Sequence, residues 1–224
     1  MKRYAWFTVI IIFLFLVLLG INLFNRKYLR KSTFVSPFPP PKSDDLKPSL
    51  SPGKVGNSPG NLKLPPGFKL GIFAQNLGTP RDLEWSPEGT LMASIPNQGK
   101  VVALPDRNRD GVADEVKTVL TGLNKPHGLA FKDNLLFVAE LTRVTRFSWD
   151  ENSLTAKKDQ ELFSLPYNGG HDTRSLVFNK KGELFVTLGS SCNVCYESHE
   201  WLAAVIVSDM YGNNPRVYAK GLRN

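Results

Sequence analysis

Sulfur and imidazole are scarce in this chain: its 224 residues include two cysteines and three histidines. A closed four-ligand zinc site drawing on Cys192, Cys195 and His199 is one ligand short, and there is no second cysteine pair. Tyr196 rather than histidine follows Cys195, which excludes a c-type haem attachment. Amphipathic stretches of about 10–15 residues, which a helical solenoid needs, are absent. Net charge is missing from most of the chain as well. The first 66 residues carry ten basic residues against Asp44 and Asp45, whereas the remainder carries 18 of each sign. A nucleic-acid binder shows a basic face on its folded domain, so that class is set aside.

What the chain does have is a three-fold echo. Asp82-Leu83-Glu84-Trp85, Gly128-Leu129-Ala130-Phe131 and Ser175-Leu176-Val177-Phe178 share the pattern x-Leu-x-aromatic, and their leucines lie 46 and 47 positions apart. Each echo is followed by a turn and a second apolar run, as in Leu135–Glu140 and Leu184–Leu188. A repeat of roughly 40–50 residues built of short strands marks β-propeller blades. The pattern predicts an all-β fold of about three four-stranded blades. Their strands fall at 81–85, 90–95, 100–104 and 115–120; at 128–131, 134–140, 143–149 and 159–165; and at 173–178, 183–188, 203–208 and 216–219, with a further strand at Phe68–Leu77. Propellers close with about four to eight blades, so the expectation is an N-terminal portion of a longer protein.

The segments before the blades are of another kind. Tyr4–Phe24 is an uncharged run of 21 residues, long enough for a helix to cross a membrane and followed by no small-residue cleavage site. Residues 1–31 therefore read as a transmembrane anchor with basic flanks. Residues 32–67 contain nine prolines and read as a Pro-rich linker. Residues 68–224 form the partial propeller. The flanking charges slightly favour a cytoplasmic C-terminal side.

Three clusters carry chemical potential. Gly169-Gly170-His171-Asp172-Thr173-Arg174 precedes the inner strand of blade three, which points His171 at the channel mouth, where an imidazole can take a proton from an alcohol. A histidine satisfying local backbone groups in a Gly-rich turn is the bland alternative. His127, in Lys125-Pro126-His127-Gly128, takes the matching place in blade two, with Arg174 as a further channel candidate. Cys192-Asn193-Val194-Cys195 is a redox pair, half a metal site or a local disulfide, the last favoured in an oxidising compartment. Asp106, Asn108, Asp110, Val112 and Asp114 sit at calcium-loop spacings around Gly111, but Lys117 stands where the bidentate glutamate belongs. A polar hairpin turn explains the same residues.

The stretches Gly122–Phe131, Gly170–Phe178, Gly189–Cys195 and Tyr218–Asn224, in this order, resemble the glucose/sorbosone dehydrogenase family. The resemblance implies a six-bladed propeller that uses pyrroloquinoline quinone (PQQ) to oxidise a sugar outside the cytoplasm, with its electron acceptor unspecified. It implies His171 as the base and Arg223 and Asn224 as quinone contacts. It also places Ser190 where the soluble glucose enzymes carry an acidic residue beside the histidine. A non-catalytic propeller that binds glycans or proteins is the alternative.

Overall fold

A computed structural model describes residues 63–222. The anchor expected at Tyr4–Phe24, most of the linker, and Arg223 and Asn224 lie outside them. Among the described residues, no helix is long and apolar enough to cross a membrane.

The fold is three four-stranded antiparallel sheets, each with its strands in chain order. Blade one comprises β1 (Asp82–Trp85), β2 (Leu91–Ile95), β3 (Lys100–Leu104) and β4 (Lys117–Leu120). Blade two comprises β5 (Leu129–Lys132), β6 (Leu135–Ala139), β7 (Arg143–Asp150) and β8 (Thr155–Ser164). Blade three comprises β9 (Leu176–Phe178), β10 (Leu184–Leu188), β11 (Ala204–Ser208) and β12 (Arg216–Lys220). Register makes the echo a physical repeat. Trp85 pairs with Leu91, Phe131 with Leu136 and Phe178 with Leu184, so each echo aromatic occupies the same rung of its sheet.

Alternation along each strand gives a blade two apolar faces, and both need cover. One cluster, with Met92, Val101, Leu129, Leu136 and Val138, fills the space between blades one and two. Another, with Phe137, Val144, Leu176, Leu184 and Ile206, fills that between blades two and three. Phe178 meets Phe137 edge to face at 4.8 Å between ring centres. Phe137 and Met92 are wholly buried, and each such side chain contributes about 2–3 kcal/mol. The faces at either end of the arc differ. On blade three's outer face Val177 is 60% exposed. On blade one's, Trp85 is 58% exposed, although Ala93, Ile95, Val102 and Leu104 beside it are buried.

The segment that covers those four residues corrects one expectation. Phe68–Leu77 is not a strand. Phe73, Ala74 and Leu77 pack onto blade one's outer face, and the Phe73 carbonyl accepts one bond, from the Ala113 amide. Its apolar residues seek the sheet's face rather than its edge, so no ladder forms.

Candidate functional site at the blade mouth

All three inner strands begin at one end of the arc, and the residues just before them converge there. In blade one the Arg81 amide donates to the Ser94 carbonyl, and in blade two the His127 amide donates to Ala139. Ser94 Oγ donates to the His127 carbonyl at 2.6 Å, and the Leu129 amide donates to Asp82 Oδ2 at 2.8 Å, which ties blade one to blade two. Gly128 then passes so close to blade three that a Cβ there would overlap the backbone of Arg174, Ser175 and Leu176. His127 is thus fixed between its neighbours by main-chain contacts. Lys125 Nζ reaches Asp172 Oδ2 at 2.7 Å, linking the mouths of blades two and three.

These groups line a cleft of about 400 Å³ whose walls include Thr79, Arg81, Asn97, Lys125, His127 and Asp172. Both ring nitrogens of His127 are buried without a hydrogen-bond partner among the described residues. Burial first, then the charge of Arg81, holds this imidazole below its ordinary 6.5, with Asp82 and a weak approach to the Arg174 backbone opposing. The His127 ring thus forms part of the cleft's wall while its two nitrogens stay enclosed beneath it. The Lys125 bond lowers the Asp172 carboxyl, against a smaller opposing effect of burial. Glu84, half-buried on β1, is raised by burial and by the neighbouring Asp82 charge.

His171 sits in a separate turn at the same mouth. Its amide donates to the Ser190 carbonyl at 2.8 Å, and its side chain is half-buried. Gly169 and Gly170 ahead of it have φ of 77° and 73°, a region glycine enters without strain. Gly170 also lies so close to the Ser190 and Ser191 carbonyls that a side chain there has no room. Asp172 beside it is committed to Lys125.

Arg174 requires a correction. It is wholly buried and does not line the channel. Nη1 donates to the Thr173 carbonyl at 2.8 Å and, more weakly, to His171; Nη2 donates to Pro166. Its Nε has no partner among the described residues, and burial lowers its pKa. It works as a brace beneath the His171 turn. The pairing of the two histidines by position needs the same adjustment. His127 lies two residues before Leu129, whereas His171 lies five before Leu176. The strand-register equivalent of His127 is therefore Arg174.

Cys192 and Cys195 are joined as a disulfide. Their sulfurs lie with the Glu197 carboxylate inside 4.8 Å. A disulfide offers no thiolate, however, and Glu197 already accepts from the Ser191 amide and hydroxyl. His199 Nδ1 accepts from the Trp201 amide. In the Asp106–Asp114 loop the oxygens serve the loop itself. Asp106 accepts from the Asp110 and Gly111 amides, Asn108 from Asp110, and Asp110 from Val112. Asp114 accepts from the Arg107 amide and pairs with its guanidinium.

The sequence reading missed three groups: the Lys125–Asp172 bridge, the brace of Arg174, and buried Glu140. The last is held by Arg143 at 2.6 Å and 3.0 Å and by the Asn124 amide at 2.6 Å. A buried carboxylate flanked by Asn124 and Arg143 had one sequence signal, Glu140 at a strand end with arginine three residues on.

Three stacked four-stranded blades with polar side chains gathered where the inner strands begin define an arc of a β-propeller. The chain belongs to the TrAA12-like family, which matches residues 62–206, and the resemblance read from the sequence stands. Among solved structures it is similar to the holo PQQ domain of pyranose dehydrogenase from Coprinopsis cinerea, at 19% identity and TM-score 0.66, covering 77% of this chain and 46% of that one. The calcium structure of a Carbohydrate-Active Enzymes Family AA12 protein from Trichoderma reesei matches at 20% identity and TM-score 0.53, covering 62% and 37%. The PQQ-bound aldose sugar dehydrogenase of Streptomyces coelicolor matches at 13% identity and TM-score 0.50, covering 62% and 47%. The chain spans less than half the length of each. No curated protein matches it significantly.

Proposed function

We propose that the blade mouth is one half of the active site of a PQQ-dependent sugar dehydrogenase acting on aldoses. The observation that carries this reading is the cleft itself. Two cations, Arg81 and Lys125, line it beside the His127 ring, and Asp172, which pairs with Lys125, follows directly on the separately braced His171. PQQ is a planar quinone bearing carboxylates, and these residues fit one edge of such a group. Arg81 and Lys125 would hold its carboxylates and the His127 ring would pack against it, with Arg223 and Asn224 assigned by resemblance. When bound, the cofactor supplies the acceptor for the hydride that leaves the sugar carbon. The chain's own part is to hold the sugar and take its hydroxyl proton. His171 is the base, positioned by the Ser190 carbonyl below and the Arg174 brace behind.

The proposal extends to the segments outside the described residues. Tyr4–Phe24 anchors the chain in a membrane, residues 32–67 form the stalk, and the propeller stands outside the cytoplasm, where a disulfide persists. Calcium at Asp106, Asn108, Asp110, Val112 and Asp114 is a separate, peripheral proposal, since a bound ion must displace Arg107 from Asp114. A calcium-dependent rise in Tm that Asp106→Ala abolishes is its test.

The test of the main reading is dye-linked aldose oxidation with added PQQ, in a protein that holds a complete propeller ring. General-base help is typically worth about 10²–10⁴-fold, so His171→Ala should lower kcat by that factor. An unchanged rate removes His171 from the reaction. The non-catalytic alternative has one observation in its favour: Ser190 stands where the resemblance expects a carboxylate beside the histidine, and its hydroxyl donates to the Cys192 carbonyl. A wild-type protein that binds sugar but turns none over would establish it.

A further inference from the structure

The loop that carries the disulfide lies directly against His171. The Ser190 carbonyl accepts the His171 amide at 2.8 Å. Ser190 Oγ donates at 2.8 Å to the carbonyl of Cys192, one end of the bridge. Gly189 packs so tightly on His171 that a Cβ there would come within 2.5 Å of the His171 carbonyl, and Gly170 packs on Ser190 and Ser191 in the same way. On the far side, the amide and hydroxyl of Ser191 are clamped by Glu197 at 3.0 Å and 2.6 Å. The ring that the disulfide closes therefore begins two residues from the carbonyl that fixes the candidate base.

The bridge joins residues three apart. So short a loop removes little freedom from the unfolded chain compared with a bridge across a long one. Its effect is local instead: it keeps the Ser190–Glu197 backbone in one shape. It is also within reach of reagents, because Cys195 is exposed and its neighbours Val194 and Tyr196 are almost fully so.

We propose that the Cys192–Cys195 disulfide is a redox-sensitive strap that sets the position of His171, tight when oxidised and slack when reduced. The reductant is an external dithiol. Its thiolate attacks one sulfur, a mixed disulfide forms, and the second thiol of the reagent displaces it. Two electrons and two protons pass to the protein, giving two cysteine thiols, and the dithiol leaves as its own cyclic disulfide. Released from the bridge, the Cys192 carbonyl no longer fixes the Ser190 hydroxyl, and the Ser190 carbonyl loses its hold on the His171 amide. The consequence for catalysis rests on reading His171 as the base, but the structural claim does not.

The experiment is hydrogen exchange by mass spectrometry on the 224-residue chain in mild detergent, oxidised and after dithiothreitol, with far-UV circular dichroism confirming that the sheets persist. Exchange in peptides covering His171 should accelerate about tenfold or more on reduction, while peptides covering His127 stay unchanged. The Cys192→Ser/Cys195→Ser chain should behave like the reduced protein, and if it fails to fold, the reduced wild type decides alone. Unchanged exchange at His171, or equal acceleration through all three blades, overturns the strap. A second arm separates it from the functional reading. In a form with a complete propeller ring, reduction should lower kcat several-fold with little change in KM for the sugar. Fast exchange at His171 with unaltered kcat would retain the strap and remove His171 as base.

Discussion

His127 and His171 stand at one mouth but are held in opposite ways. His127 is placed by the ladder: its amide continues the β5–β6 pairing, its carbonyl is tied to blade one, and Gly128 behind it is wedged against blade three. His171 lies ahead of its strand in a turn of two positive-φ glycines, held by a neighbouring loop and by a buried arginine. Both are half-buried, but the ring nitrogens of the ladder residue are enclosed and its pKa is lowered by that burial, whereas the turn residue depends on a neighbouring loop rather than on its own sheet. On the function proposed above, the first stands at the cofactor and the second takes the proton.

The largest expected effect separates the two directly. In a form with a complete propeller ring, His171→Ala should act on kcat, whereas His127→Ala should act on PQQ affinity and leave a saturated kcat within about threefold. Steady-state kinetics at increasing PQQ will show it. A kcat loss from His127→Ala that persists at saturation would exchange the two roles.

The second test aims at the brace. Arg174→Ala strands the carbonyls of His171, Thr173 and Pro166 in a buried place. Removing a buried hydrogen-bonding group of this kind costs about 3 kcal/mol, read as a lower urea midpoint with an unchanged slope. Arg174→Lys should recover little, since an ammonium cannot span three carbonyls as a planar guanidinium does. A midpoint shift below about 1 kcal/mol would mean that the turn holds itself.

Much of this was legible beforehand. Register is fixed by alternation, and alternation is written in the sequence, so all twelve blade strands appear where the echo predicts them, within a few residues at each end. The Phe68–Leu77 strand failed because apolar residues alone do not tell a strand that pairs from a segment that lies flat on a sheet's face. The site was legible in position but not in partnership. His127 and His171 were found as turn residues before inner strands, yet Arg174 was given to the channel because nothing local reveals that three carbonyls of its own turn surround it. The Lys125–Asp172 bridge joins residues 47 apart, and only the stacking of blades brings them together.

The third test is pH. His127 has a folded pKa below its ordinary 6.5, chiefly from burial, so the unfolded chain binds its proton more readily. Its contribution to stability is therefore fully present above pH 6.5 and is lost as the pH falls below that value. Urea midpoints of the wild type should decline from pH 7 to pH 5, and His127→Gln should flatten that decline. A slope unaltered by the substitution would show that this imidazole is solvated after all, which weakens its assignment to the cofactor's edge.

The smallest effect concerns the bridge between the two turns. Lys125 and Asp172 are 49% and 42% exposed at their side chains, and exposed pairs of this kind are worth about 0.2–1 kcal/mol. The bond raises Lys125 and lowers Asp172, so its contribution is present above the ordinary carboxylate value of 3.8 and is lost as the pH drops through the depressed one. A double-mutant cycle of Lys125→Met and Asp172→Asn at pH 7 should give a coupling inside that range, reduced at 1 M salt because the pair is open to solvent. A coupling above about 2 kcal/mol would mean that the cleft excludes water even without a ligand, and the contrast between a blade-two turn held by its sheet and a blade-three turn held by a loop would then fail, since the bridge would lock them together.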